Sequence, residues 1–336
     1  MNLKNVTMLT GLLLILLACD EDDTVTIDDT PAPQTSEYTG TASVTQGLAS
    51  TTTTNLYPGG QRIAGLGSIT ASDNTVWNVP ADVNYTESSF PFAPDLNNPY
   101  GVQYASAAEA LAAFDDNDII DIDAEGEVIT GYLFGDNYFE LYVNGEAVGK
   151  DAIPFTGFNS HIVKFRVNRP FTLAMLLVDW EENLGIGSEA NGGSSYHPGD
   201  GGLVAVFKDV NNEIVTTTND QWKAQTFYTS PIQDLSCPTE SGSVRSSASC
   251  NSGDSADGSN YYGLHWEIPS DWMSESFDDS SWPDATTYTN ATIGVDNKSS
   301  YTNYTDVFDD PSNDAQFIWS TNVILDNEVI VRYTVE

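Results

Sequence analysis

Positive charge is what this sequence has least of. Lys and Arg number 11 against 49 Asp and Glu, a formal net charge of −38. Nothing in it can neutralise a row of phosphates, which excludes nucleic acid as a partner. The same shortage argues against docking on an anionic bilayer through a basic patch. Histidine occurs only three times, and His161, His197 and His265 lie far apart along the chain, so no three-histidine metal motif can be read. There is no Gly-x-Ser-x-Gly elbow, His-Glu-x-x-His pair, P-loop or dinucleotide fingerprint, which lowers the common hydrolase and nucleotide-binding classes. Apolar residues are not lacking: they make up 40% of the 336 residues, with 11% aromatic. That is too much for a disordered acidic chain and enough for a sizeable core.

Cysteine occurs three times, and each occurrence has a place in the argument. Met1–Asn5 holds one Lys, Leu9–Ala18 is mostly apolar, and the run ends Leu16-Leu17-Ala18-Cys19. The apolar stretch has signal-peptide length and is short for a permanent span. A small residue directly before Cys19 resembles the lipobox of bacterial lipoproteins, in which the cysteine is acylated and becomes the new N-terminus. An ordinary secretory leader is the alternative. The acidic cluster Asp20–Asp23 that follows resembles the surface-export signal of Bacteroidetes-type lipoproteins; a solvated tether is the bland reading. The expectation is a signal peptide over 1–18, a Ser/Thr/Pro-rich acidic tether over 19–37, a lipid anchor in the membrane at Cys19, and display at the outer membrane or cell surface. Cys237 and Cys250 remain as a pair for an oxidising compartment, so a disulfide is expected, with a zinc site as the weaker competitor.

The body, 38–336, reads as strands. Asn74–Val79, Val128–Phe134, Tyr138–Val143, Ile162–Val167, Phe171–Val178, Leu203–Lys208, Glu213–Thr218, Trp222–Phe227 and Val323–Val335 alternate or run apolar. Asp136-Asn137, Asn144-Gly145 and Asn211-Asn212 supply turns. Thr39–Thr54 reads as an edge strand or an extension of the stalk, and Pro91, Pro94 and Pro99 make Tyr85–Tyr100 an irregular loop. Ala105–Phe114 is the one helical patch, with Ser106 at the cap and Glu109 at capping-box spacing. Many short strands with one short helix and long loops predict an all-β antiparallel sandwich. Trp77, Trp222, Trp282 and Trp319 are expected to be structural.

Three segments add a family resemblance. Asp136–Gly145 with Val148-Gly149 resembles a hairpin of galactose-binding-like β-sandwich (jelly-roll) domains. Phe277–Pro283 resembles their acidic loop with a buried Trp. Phe317–Ser320 with Val329–Tyr333 resembles their closing strands in glycosidases. The resemblance covers about 120–336 and implies a lectin-like or accessory carbohydrate-binding role, with a polysaccharide or glycan as partner.

Candidate sites follow from the acidic and aromatic loops. Asp121, Asp123 and Glu125 offer oxygen ligands at alternate positions, with Gly126 at the sixth, as in the first half of a calcium loop. The twelfth position is Tyr132, which excludes an EF-hand, and an acidic turn is the competing reading. Asp179, Trp180, Glu181 and Glu182 follow the apolar strand, where loops at a sandwich rim carry function. Tyr196, His197 and Asp200 lie in a Gly-rich turn that returns beside them. On this reading Trp180 stacks on a sugar, and the carboxylates take its hydroxyls or hold Ca2+. The leading expectation is a surface-anchored lipoprotein that binds carbohydrate. The alternatives are a structural adhesin or surface-layer component without a pocket, and a glycan-active hydrolase or lyase using the Asp179–Glu182 rim.

Overall fold

The stretch from Glu127 to Lys150 lays out the architecture in miniature. Strand Glu127–Asp136 belongs to one sheet and strand Tyr138–Val143 to the other. Asp136-Asn137, expected as a turn, is instead the point at which the chain switches sheets. Asn144-Gly145 does make the expected hairpin, with both residues at positive φ (52° and 89°), the conformation that a two-residue hairpin turn requires. The computed structural model describes residues 38–336 apart from 157, 191–192, 254–255, 259 and 313–314. The leader, Cys19, the acidic cluster and the tether lie outside the described residues.

Among the described residues two antiparallel sheets form a sandwich, as the strand pattern predicts. The first has seven strands in the order Ser43–Gln46, Tyr262–His265, Lys223–Ile232, Asp326–Val335, Phe171–Val178, Tyr138–Val143, Glu146–Lys150. The second runs Thr286–Tyr288, Phe317–Trp319, Gly202–Lys208, Glu127–Asp136, Ser160–Val167, Asp95–Asn97, with Ile214–Thr217 and the short parallel Ile120–Asp121 paired at its side. The strand Ser43–Gln46 ties residues well before 120 into the first sheet. Asp95–Asn97 is a strand inside the segment expected to be irregular. The helix Ala107–Ala113 is capped by Ser106, and Glu109 accepts in return from the backbone of Ala105. Three four-residue helical turns near the C-terminus, beginning at Asn290, Ser299 and Thr305, were not expected.

Alternation sorts the central strands into two faces. Phe139, Leu141, Val143, Leu173, Met175, Leu177, Val329 and Val331 enter the core between the sheets, where Phe165 of one sheet meets Phe171 of the other at 5.9 Å. The opposite face of the first sheet carries Tyr138, Tyr142, Leu176, Val178 and Ile330, and it is also buried, under Phe90, Phe155, Trp180, Trp266, Trp272 and Trp282. Both faces of the Phe171–Val178 strand are therefore covered. Trp222, Trp282 and Trp319 are buried as expected, while Trp77 is only partly buried. Cys237 and Cys250 are disulfide-bonded across a separation of 13 residues.

Candidate functional site

Among the described residues, polar side chains gather against open space at several places. The first lies at the rim, where the sequence reading put it. Asp179 and Asp200 face a cavity of about 170 Å³ together with Asp136, Asn137, Thr156, Glu189, Arg62 and Lys298. Burial, aided by neighbouring carboxylates, raises Asp136 and Asp179 well above the ordinary aspartate range, and Asp200 is pushed up to about 6. Asp136, Glu189 and Arg62 were not picked out from the sequence.

The rest of the predicted rim is committed to local structure. Trp180 is not a stacking platform: its ring is 1% exposed, packs edge-on against Tyr138, and donates Nε1–H to the carbonyl of Gly65 at 3.1 Å. Trp180, two residues past the strand's end, is covered by the segment around Gly65, so the expected exposed aromatic becomes core. Glu181 is buried, accepts from the backbone of Gly185 and Gly187, and has its carboxyl pushed up to about 7 by burial. Glu182 accepts from Arg62 and from the backbone of Ala190. Glu181 and Glu182 thus do not join Asp179 as an acid–base set at the rim. Tyr196 borders a separate hollow with Arg62, Glu181 and Glu182. His197 holds the carbonyl of Ser195 at 2.9 Å.

The expected calcium-loop side chains have other partners. Asp121 pairs with Arg166 at 2.7 Å, Asp123 accepts from the backbone of Asn168 at 2.8 Å, and Glu125 is exposed. Among the described residues no group of three or more His, Cys, Asp or Glu side chains is arranged to hold a metal ion.

The second place is larger and was not anticipated. A cleft of about 370 Å³ opens in the cover over the outer face of the first sheet. Its floor comes from the central strands: Glu140 and Tyr142 from Tyr138–Val143, Leu176 from Phe171–Val178, and Glu328 from Asp326–Val335. Pairing places Glu140 opposite Leu176, and Leu176 opposite Ile330. Glu328, two residues before Ile330, therefore shares the face of Glu140. Their α-carbons are two strand spacings and two residues apart, about 12 Å on ordinary sheet dimensions. The walls are Trp77, Trp266 and Trp272, with Asn78, Asp82, Asn84 and Glu267 between them.

The walls are held by buried cations. Arg332, 1% exposed, donates Nε–H to Asp279 at 2.7 Å and its other N–H groups to the carbonyls of Trp272, Ser274 and Phe277. Lys150 donates to the carbonyls of Asn84 and Glu87 at 2.7 and 2.8 Å, fixing the segment that brings in Asp82 and Asn84. Trp272 meets Tyr142 edge-on at 5.2 Å. Trp77 stacks on His265, which stacks on Tyr228, while Trp266 donates Nε1–H to Glu240 at 2.8 Å.

The two carboxyl groups on the floor live in opposite surroundings. Glu140 accepts from the backbone and side-chain amides of Asn84 at 2.5 and 2.9 Å and from the hydroxyls of Tyr138 and Tyr142 at 2.9 and 3.2 Å. Glu328 is 8% exposed, and among the described residues no donor meets its carboxyl group. Burial first, then the charges of Asp82 and Glu140, push it up to about 8, so it keeps its proton at neutral pH. Compared with known proteins, the chain matches no family model, no curated protein and no solved structure.

Proposed function

We propose that this protein is a surface-displayed lipoprotein whose outer-face cleft binds a neutral carbohydrate. The observation that carries the proposal is the lining: three tryptophans and Tyr142 alternate with Asn78, Asn84 and four carboxyl groups, with no Lys or Arg among them. Aromatic faces stack on the C–H faces of sugars, and amides and carboxylates take the hydroxyls. With acidic groups and no cation in the lining, a uronic or sulfated glycan has nothing to pair with, so the ligand is uncharged. The sequence resemblance to galactose-binding-like domains and the lipobox-like Leu16–Cys19 support the same reading.

The test is calorimetry of the full chain against neutral β-glucan, galactomannan and arabinan, with alginate and polygalacturonate as acidic controls. A neutral polysaccharide should bind and the acidic ones should not. Trp77→Ala should weaken binding about 5- to 150-fold, the loss of about 1–3 kcal/mol expected of an interfacial aromatic, without a comparable drop in melting temperature because the ring is only partly buried. No binding to any neutral polysaccharide, or an unchanged affinity in the variant, would refute the proposal.

A further inference from the structure

We infer that the cleft hydrolyses the glycan it binds, with Glu328 as the proton donor to the leaving oxygen and Asp82 as the base that activates water. The inference rests on the carbohydrate-binding reading and adds to it a reaction class.

Geometry carries it. Glycoside hydrolysis needs two carboxyl groups in one cleft, one protonated and one ionised, with the sugar between them. Glu328 rises from the floor of this cleft on a central strand, and Asp82 stands in its wall on a covering segment. Both are free for the reaction in a way that Glu140 is not. Glu140 is fully buried, and both of its oxygens already accept from Asn84, Tyr138 and Tyr142. Asp82 is exposed, and its described partner is the side-chain amide of Asn78. Glu328 is nine-tenths buried yet meets no donor, which leaves its proton to point at whatever occupies the cleft.

The surrounding charges suit this division of labour. Asp82, Glu140 and Glu267 line the cleft around Glu328, and the Tyr228 hydroxyl and its neighbour His265 lie in the layer beside it. Burial lowers His265 to about 3, so it is neutral there. Glu328 therefore faces acidic or neutral groups and no cation of the lining, which keeps its proton in place, and Asp82 stands in the same cleft as the second carboxyl group. This is the arrangement by which two carboxyl groups take opposite roles.

The step balances without any other reactant. A water molecule attacks the anomeric carbon and gives a proton to Asp82, while the bond from that carbon to the bridging oxygen breaks. Glu328 gives its proton to that oxygen, which leaves as an alcohol. Exchange with solvent returns both carboxyl groups to their starting states. A lyase step is disfavoured, because it acts on a uronic carboxylate that needs a cation beside it, and the lining supplies none.

The experiment uses the full chain and the neutral polysaccharides above. Reducing ends are measured alongside calorimetric binding for wild type, Glu328→Gln and Asp82→Asn. The expected result is release of reducing ends from the bound polysaccharide, reduced about 10²- to 10⁴-fold in each variant when measured at saturating polysaccharide, far beyond any change in affinity. Proton NMR of the first product should show inversion at the anomeric carbon. Asp82 is exposed, so its variant tests the idea even if Glu328→Gln alters the fold. Binding without cleavage would overturn the catalytic inference and leave the binding reading intact, whereas no binding would overturn both. Full activity in either variant, or retention of configuration, would also overturn it.

Discussion

Replacing Glu328 by Gln should make the protein more stable, and increasingly so as the pH rises. The free glutamic acid side chain titrates near 4.5, and in the fold the group is pushed up to about 8, first by burial and then by Asp82 and Glu140. Between those values the unfolded chain has lost a proton that the folded chain keeps. Stability from this group is therefore fully present below about 4.5 and drains away as the pH rises through 8, at about 1.4 kcal/mol per pH unit. Gln has nearly the same shape and no proton to lose. Urea unfolding of wild type and variant should give a stability gap that widens by roughly 3 kcal/mol between pH 5 and pH 8, with equal m-values. Asp200, pushed up to about 6, and Glu181, to about 7, also titrate in this range, but they do so in both proteins and cancel in the gap. A gap that does not change with pH would refute the claim that Glu328 is held protonated. A gain in stability on removal of a functional group would fit the usual conflict between an active site and the fold that carries it.

The remaining predictions concern the rim and the disulfide. Trp180→Ala should cost about 3–5 kcal/mol of stability, as for a fully buried large aromatic; urea unfolding checks this, and carbohydrate affinity per folded molecule should stay unchanged. A small stability loss with lost binding would return the rim to the centre of the argument. Thiol labelling of the native protein should find neither Cys237 nor Cys250, and their replacement by Ser should cost about 3 kcal/mol on the chain-entropy argument for a loop of this length. Stoichiometric labelling of both would contradict the bond.

Much of the fold could be read along the chain because it depends on local rules. The strands Tyr138–Val143 and Phe171–Val178 begin and end where their apolar patterns do. Asn144-Gly145 makes its hairpin, and Ser106 caps the one full helix. What could not be read is pairing between distant segments. Asp136-Asn137 has the composition of a hairpin turn, but the following strand pairs with Phe171–Val178 and Glu146–Lys150 rather than with the strand before it. Trp180 sits after an apolar strand and before a run of acids, a local setting that predicts exposure. The cover that buries it includes Gly65, more than a hundred residues earlier.

The same distance hid the cleft. Tyr138, Glu140 and Tyr142 alternate with Phe139, Leu141 and Val143, so one face of that strand is visibly polar in the sequence, and Glu328 stands before Val329 in the same manner. A polar face on a sandwich strand is ordinarily the solvent side, and that is the interpretation local pattern supports. Here a second layer, drawn from segments around 77–92 and 262–283, closes over it. Once covered, a carboxyl group must find donors or keep its proton. Glu140 takes the first course and Glu328 the second, although both belong to one sheet face. Strands fix such groups more firmly than loops do, and Arg332 and Lys150 hold the covering walls by their carbonyls. The polar atoms best placed for chemistry thus stand on the most rigid part of the fold. The aromatic rings best placed to seat a sugar come from the segments laid over it. Neither half is a motif on its own, which is why a search for motifs settles on the rim instead.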